Sequence, residues 1–304
     1  MRFRGVFSVL PTPFSKTGDF DAESMNRVVD LFVSAGVNGL TALGVTGEVA
    51  RLTESERKRV LEVVIQRCAG RAAVIAGATA EGTRACIEFC RAAAAMKADA
   101  VMVSPPRMPK LNSEAVVAHY KALAEAISLP IVVQDYPPIS GFTMEPALLA
   151  RIAREVPQAR TIKLEDPPTP LKTSRILALS DGIEVDILGG LGGVYLIEEL
   201  MAGAAGVMTG FAYPEMLIEV VKSYTSGDVK AASDAFYRYV PLMRFEFQEG
   251  IGMAIRKEVL RRRGVLADAA IRAPGAQLDS TTRAALDQIL EWMRHERKAE
   301  WISS

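Results

Sequence analysis

Lys163 stands near the end of an otherwise apolar stretch, Thr161-Ile162-Lys163-Leu164-Glu165. An ordinary lysine is almost wholly an ammonium at neutral pH and no nucleophile. Desolvation disfavours the charged form and frees the amine to attack a carbonyl. On a 2-oxo acid that attack gives an imine. Once protonated, the imine draws electrons from the second carbon and makes the proton on the third carbon removable. Aldol cleavage, aldol condensation and dehydration all pass through this one intermediate. The competing use of such a lysine is to snorkel to solvent at a strand end.

Other candidates lie at similar places. Gly44-Val45-Thr46-Gly47-Glu48 follows an apolar run. Its glycines allow close backbone approach, and Thr46 brings a hydroxyl and an amide N–H, so the loop could hold a carboxylate or simply turn the chain. Gln134 and Tyr136 share a face by the two-residue period of a strand, with Tyr136 as a proton carrier or an aromatic rim residue. Glu165 falls two positions beyond Lys163, as a base or as a rim carboxylate paired with an arginine. Arg107 could bind the far end of a substrate or join an interface ion pair. The two histidines, His119 and His295, sit in helix-patterned segments and read as solvated helix residues. A Ser-His-Asp triad and a histidine-based zinc site have nothing to build on.

These residues need rigid elements to aim them, and short apolar runs alternate with helix-period segments along the chain. Strands are expected at Gly5–Leu10, Gly39–Leu43, Ala73–Gly77, Ala100–Val103, Pro130–Gln134, Arg160–Lys163, Glu184–Leu188 and Gly206–Thr209. Helices are expected at Asp21–Ala35, Thr53–Ala69, Thr83–Lys97, Ser113–Ile127, Met144–Glu155, Leu171–Leu179, Gly193–Ala202 and Glu215–Ser226. Thr53 and Glu56 fit a capping box, and Asp21, Asn112-Ser113 and Thr143 offer further N-cap oxygens. The runs are continuously apolar, as parallel strands covered on both sides should be. Eight such units close into an α/β TIM barrel, (β/α)8, with its site at the carboxyl ends of the strands. A doubly wound sheet lacks support, because no G-x-G-x-x-G follows the first strand. Residues 1–227 form the expected barrel. Residues 228–304 carry no strand signal and read as a C-terminal helical extension packed on it, with helices near Val229–Phe247, Gly252–Arg263 and Ser280–Arg297.

The chain has 304 residues, with 36 basic against 36 acidic side chains. That balance argues against a nucleic-acid or anionic-membrane partner. No apolar run is long enough to span a bilayer. The opening MRFRGVFSVLPTPF lacks a small-residue cleavage site and reads as mature protein. Three cysteines, Cys68, Cys86 and Cys90, are too few for a disulfide framework and suggest a cytoplasmic protein. Cys86 and Cys90 share a helix face and read as small buried hydrophobes.

Taken together, GVFSVLPTPF, Gly44-Val45-Thr46-Gly47-Glu48, Val101-Met102-Val103-Ser104-Pro105-Pro106, Leu129-Pro130-Ile131-Val132-Val133, Thr161-Ile162-Lys163 and Gly203-Ala204-Ala205-Gly206-Val207-Met208-Thr209-Gly210 resemble the dihydrodipicolinate synthase / N-acetylneuraminate lyase family of lysine-dependent aldolases and dehydratases. The resemblance spans nearly the whole chain. It implies a lyase with Lys163 as the imine-forming residue, Thr46 and Gly47 as part of the pocket for the substrate carboxylate, no metal or organic cofactor, and a homotetramer built as a dimer of dimers. Tyr136 is the further catalytic candidate, two positions later than the family's tyrosine, and Val45, Gln134 and Met208 are further candidates for substrate binding. Several positions depart from the synthase pattern. Val45 replaces a threonine of the proton relay. Gln134 takes the place of a tyrosine and can only hydrogen-bond. Ile139 stands where an arginine would hold a second substrate, and Pro105-Pro106-Arg107 where an aromatic pair would stand. The V-Q-D-x-P segment is similar instead to the family's L-2-keto-3-deoxyarabonate dehydratase-like members. The expectation is therefore dehydration of a 2-keto-3-deoxy sugar acid, with Tyr136, Glu165 and water all open as the base. The alternatives are an aldolase releasing pyruvate, the synthase reaction itself, and a non-catalytic 2-oxo-acid-binding paralogue.

Overall fold

A computed structural model describes residues 2–299, with side chains to Arg294. Its frame is a closed barrel of eight parallel strands in chain order. The first half runs β1 (Gly5–Val9), α1 (Ala22–Ala35), β2 (Gly39–Ala42), α2 (Glu54–Cys68), β3 (Ala73–Gly77), α3 (Thr83–Ala95), β4 (Ala100–Val103) and α4 (Ser113–Ala126). The second runs β5 (Ile131–Asp135), short α5 (Pro137–Ser140), α6 (Pro146–Glu155), β6 (Thr161–Leu164), α7 (Thr169–Leu179), β7 (Asp186–Gly189), α8 (Leu196–Met201), β8 (Gly206–Thr209) and α9 (Pro214–Thr225). Then come α10 (Val229–Glu246), α11 (Gly252–Arg262) and α12 (Ser280–Ala299). Each expected strand is present within two residues of its expected ends.

The barrel closes where β1 pairs with β8, in the register Gly5↔Gly206 to Ser8↔Thr209. Gly206 has φ +149°, and a Cβ there would lie 2.0 Å from the Gly5 carbonyl oxygen, so the seam accepts only glycine. Inside the barrel, Phe3, Phe7, Val9, Ile75, Ala100, Met102, Val132, Leu188 and Met208 pack as one apolar cluster. Outside it, the opposite strand faces pack on the helices in a far larger core. The inner cluster is a solid floor, which leaves chemistry to the layer above it.

Local signals act largely as the sequence indicates. Thr53 and Glu56 form both halves of a capping box, and Asp21 and Asn112 cap α1 and α4. Thr143 does not cap α6. That helix starts at Pro146, and its N-cap is Glu145 without a side-chain bond, because proline at the first position needs no N–H partner. His119 is not solvated. It is buried, with Nδ1 2.9 Å from the Thr83 hydroxyl, because its face of α4 meets α3. The side chain of His295 lies outside the described residues. The three cysteines are free and buried. No helix among the described residues is long and apolar enough to cross a membrane.

One interior carboxyl carries a pH signature. Glu199 on α8 is fully buried and accepts a hydrogen bond from Thr169 at 2.6 Å. Burial pushes it up to about 7, against the weaker downward pull of that bond. The folded state thus keeps a proton that the unfolded chain releases above the ordinary glutamate value. The stabilisation this gives is full below that value and is lost as pH rises through about 7. Glu199→Gln should therefore gain in melting temperature relative to wild type between about pH 5 and about pH 8. A gap between the two proteins that stays constant across that range would show that Glu199 does not titrate so.

Candidate active site

Strand alternation decides what reaches the barrel mouth. β5 and β6 pair in register with Gln134 opposite Lys163 and Asp135 opposite Leu164. Gln134 and Lys163 share the inner face, while Asp135 and Leu164 point to the helices. Lys163 is 4% exposed and lies in register with Leu188 of the apolar floor on its other side. It does not snorkel. Its Nζ meets Glu165 Oε2 at 3.1 Å. Gln134 Nε2 donates to the same oxygen at 2.7 Å, and Gln134 Oε1 accepts from Ser104 at 3.1 Å. The Ser104 N–H in turn donates to Thr79 at 2.9 Å. A continuous polar chain thus runs from β3 and β4 across β5 to the amine on β6.

Glu165 is held from two sides. Its N–H donates to Asp135 O at 2.9 Å, which extends the β5–β6 ladder one step past β6. Beyond it lies Gly190, where a Cβ would sit 2.2 Å from Glu165 Cγ. The absence of a side chain at 190 is what lets the carboxylate turn toward Lys163. Behind this layer, Lys172 on α7 pairs with Asp135 at 2.6 Å and with Asp166 at 2.7 Å. Burial pushes Asp135 up to about 6, and Lys172 opposes that rise.

The loop after β2 forms the neighbouring wall. Val45–Gly47 make a single 3₁₀ turn, and the Gly47 carbonyl accepts from Thr12 at 2.6 Å. The Thr46 hydroxyl is buried and has no hydrogen-bond partner among the described residues. A cavity of ≈ 430 Å³ opens beside this loop, lined among others by Val45, Ser104, Arg107, Gln134 and Ile139. Lys163 is the strand neighbour of Gln134 but does not itself line that space. Met208 lies deeper, in the apolar floor. Tyr136 sits half-buried past the end of β5, where it caps α5. Its phenol is raised above the ordinary tyrosine value by burial first and by the charges of Glu165 and Glu249 next. It takes no part in the Ser104–Gln134–Glu165–Lys163 chain. Arg107 is exposed on the cavity rim.

The structure therefore links Lys163, Gln134 and Glu165 through direct contacts; of the loop after β2, Val45 and Glu48 line the cavity beside Gln134, and Thr46 and Gly47 do not. Sequence reasoning did not single out Ser104, Thr12 or Gly190. Ser104 and Thr12 each follow an apolar strand directly or by three residues, the position where a hydroxyl meets the barrel mouth. Gly190 leaves no such mark, because its role is the space it leaves.

The profile of the dihydrodipicolinate synthetase family matches residues 2–293. The chain is 31% identical over 291 residues to the L-2-keto-3-deoxyarabonate dehydratase of Azospirillum brasilense, covering 94% of this chain and 93% of that protein. It is 31% identical over 293 residues to a 4-hydroxy-tetrahydrodipicolinate synthase of Methanothrix thermoacetophila, covering 96% and 97%. The crystal structure of dihydrodipicolinate synthase from Rhodopseudomonas palustris superposes with a TM-score of 0.89 at 35% identity, over 95% of this chain and 97% of that one. A match along nearly the full length, on the same closed barrel, places the chain in the dihydrodipicolinate synthetase family as one of its lyases.

Proposed function

We propose that this lyase dehydrates a 2-keto-3-deoxy sugar acid through an imine at Lys163. The observation that carries this reading is the contact of the buried amine with Glu165, fixed by Gln134. The amine adds to the substrate's second carbon, and water leaves to form the imine. Thr46 and Gly47 frame the substrate carboxylate, with the Thr46 hydroxyl and N–H as donors, since the Gly47 N–H already donates to Gly44 O at 3.0 Å. Glu165, beside the imine nitrogen, takes the proton from the third carbon. The electron pair then expels the hydroxyl on the fourth carbon, and the proton held by Glu165 departs with it as water. Hydrolysis of the unsaturated imine frees the product and the lysine. One carboxyl serves as base and then as acid, so no tyrosine is needed in the strand position that Gln134 occupies.

The similarity to a sugar-acid dehydratase supports this reading, as does the cavity beside Gln134, which has room for the rest of a sugar chain. A synthase reading has Gln134 and Ile139 against it, since Gln134 cannot carry a proton and Ile139 cannot bind a carboxylate. Tyr136 serves on this reading as a rim residue near the fourth carbon. Val45 and Met208 contribute apolar walls. We further propose a cytoplasmic homotetramer, which fits the free thiols and the exposed apolar side chains of Leu171 and Leu179 on α7, Met201 on α8 and Tyr195 just before α8.

Borohydride with pyruvate should leave a reduced adduct on the wild type and none on Lys163→Ala. Absence of an adduct on the wild type would leave a binding protein rather than an enzyme. With 2-keto-3-deoxy pentonates and hexonates, substrate should disappear without pyruvate, as followed with lactate dehydrogenase. Stoichiometric pyruvate would instead establish an aldolase.

Glu165→Gln should lower kcat by roughly 10²–10⁴, the range of a general acid–base group, while adduct formation persists. Gly190→Ala should act the same way, because its Cβ needs the space of Glu165 Cγ. Full activity in a folded Gly190→Ala protein would remove Glu165 from the mechanism.

A further inference from the structure

The C-terminal helices do more than cover the barrel. Glu48 ends the Val45–Gly47 turn in the left-handed region, φ +56°, and its N–H donates to Val45 O at 3.0 Å. For a glutamate this backbone is unfavourable and persists only where its surroundings hold it. Its carboxylate is completely buried and every contact to it is charged or backbone. Lys257 of α11, also completely buried, donates to Oε1 at 2.5 Å. Arg51 and the N–H of Arg272 donate to Oε2 at 2.9 and 3.1 Å. Lys257 is itself fixed by the Ala270 carbonyl at 2.8 Å and by the Phe14 ring, whose centroid is 4.5 Å away. The Arg272 guanidinium grips Glu56 through two bonds, of 2.8 and 2.7 Å, and stacks on the same ring, 4.2 Å from its centroid. Residues more than two hundred positions apart in sequence thus converge on one loop.

We infer that Lys257 and Arg272 are positioning residues for the substrate carboxylate: by clamping Glu48 they set the turn whose Thr46 hydroxyl and N–H receive it. This rests on the proposed role of Thr46-Gly47. Two anchors hold the turn, Thr12 on the Gly47 carbonyl and the Glu48 clamp one residue on. Thr46 lies directly before them with its hydroxyl unpartnered. Releasing the clamp frees Glu48 to leave the left-handed region, which rotates the Thr46-Gly47 amides. The apolar floor and the Lys163–Glu165 contact lie on other strands and keep their geometry. The clamp therefore governs binding of the carboxylate and not the reactivity of the amine.

Borohydride trapping with pyruvate and with methyl pyruvate separates these effects, because the ester keeps the ketone and lacks the carboxylate. The half-saturating concentration is read for each. In Lys257→Met it should rise for pyruvate on the order of tenfold, the scale on which lost supporting contacts act, and stay within about twofold for methyl pyruvate. Lys257→Met takes the fully buried cation from Glu48 and leaves it Arg51 alone, which can unfold a protein. The double variant Glu48→Gln/Lys257→Met buries no lone charge and should show the same loss of preference. A folded variant that keeps the wild-type preference for pyruvate overturns the inference. So does an equal rise for both ligands, or loss of fold in both variants, since the pair would then hold the barrel together rather than place a loop. Thr46→Val tests the underlying reading separately: if it keeps the wild-type preference, the turn is not the carboxylate site, whatever Lys257 does.

Discussion

A cation in the interior of an apolar barrel must be paired, and the pairing of Lys163 with Glu165 organises the mouth of this one. Beneath the pair lie Leu188, Val132, Met102 and Met208, which offer no hydrogen bond to an ammonium. An unpaired charge there would cost several kcal/mol. Glu165 provides the partner at 3.1 Å, and Gln134 satisfies the carboxylate in turn. Each group in the chain from Ser104 to Lys163 thus answers the need of the next. A polar network of this kind is rigid only when complete. That completeness is why Gln134 suits its place, since an amide can donate to Glu165 and accept from Ser104 at once.

The outward face of the same strands supports the inward one. Because side chains alternate, the residue after Gln134 must point away from the mouth. Asp135 does so, and Lys172 ties it to Asp166, the residue after Glu165. A second ion-paired layer thus fixes the backbone on both sides of the catalytic candidates. The loop after β2 follows the same logic, with Thr12 in front and the Glu48–Lys257 pair behind. In both places a reactive or binding group stands among neighbours that are tied by ion pairs or hydrogen bonds.

Much of this was legible in the residues. The eight apolar runs and their intervening helices follow from periodicity, which is local, and the barrel follows from their number and alternation. Lys163, Gln134 and the Thr46-Gly47 turn stand at strand ends, where a barrel collects its chemistry. The reading of His119 as a solvated helix residue failed because burial of a helix face depends on its neighbour, here α3, and a lone histidine does not reveal that. Thr143 failed as a cap because Pro146 sets the helix start. The clamp on Glu48 was not legible at all. Lys257 lies in a run of charges, Arg256-Lys257-Glu258, that looks like a solvated face, yet all of these side chains are largely buried. Only closure of the chain on itself pairs them.

The exchange of a tyrosine for Gln134 has a consequence for where protons can go. A phenol at that place could hand a proton between the substrate and solvent. An amide cannot, so on the proposed mechanism the proton leaving the third carbon goes to the carboxylate that Gln134 holds against Lys163. Glu165 is the titratable side chain among the described residues that touches Lys163. It can reach there only because position 190 has no side chain, since the glycine's missing Cβ would fall 2.2 Å from Glu165 Cγ. Gln134, Glu165 and Gly190 therefore make sense as a set: the first gives up proton transfer and orients the second, and the third leaves the second its room. On the proposed mechanism this carboxylate, two residues on from the lysine and 3.1 Å from its nitrogen, takes the proton from the third carbon and returns it to the hydroxyl that leaves the fourth, so that one group serves both halves of the elimination.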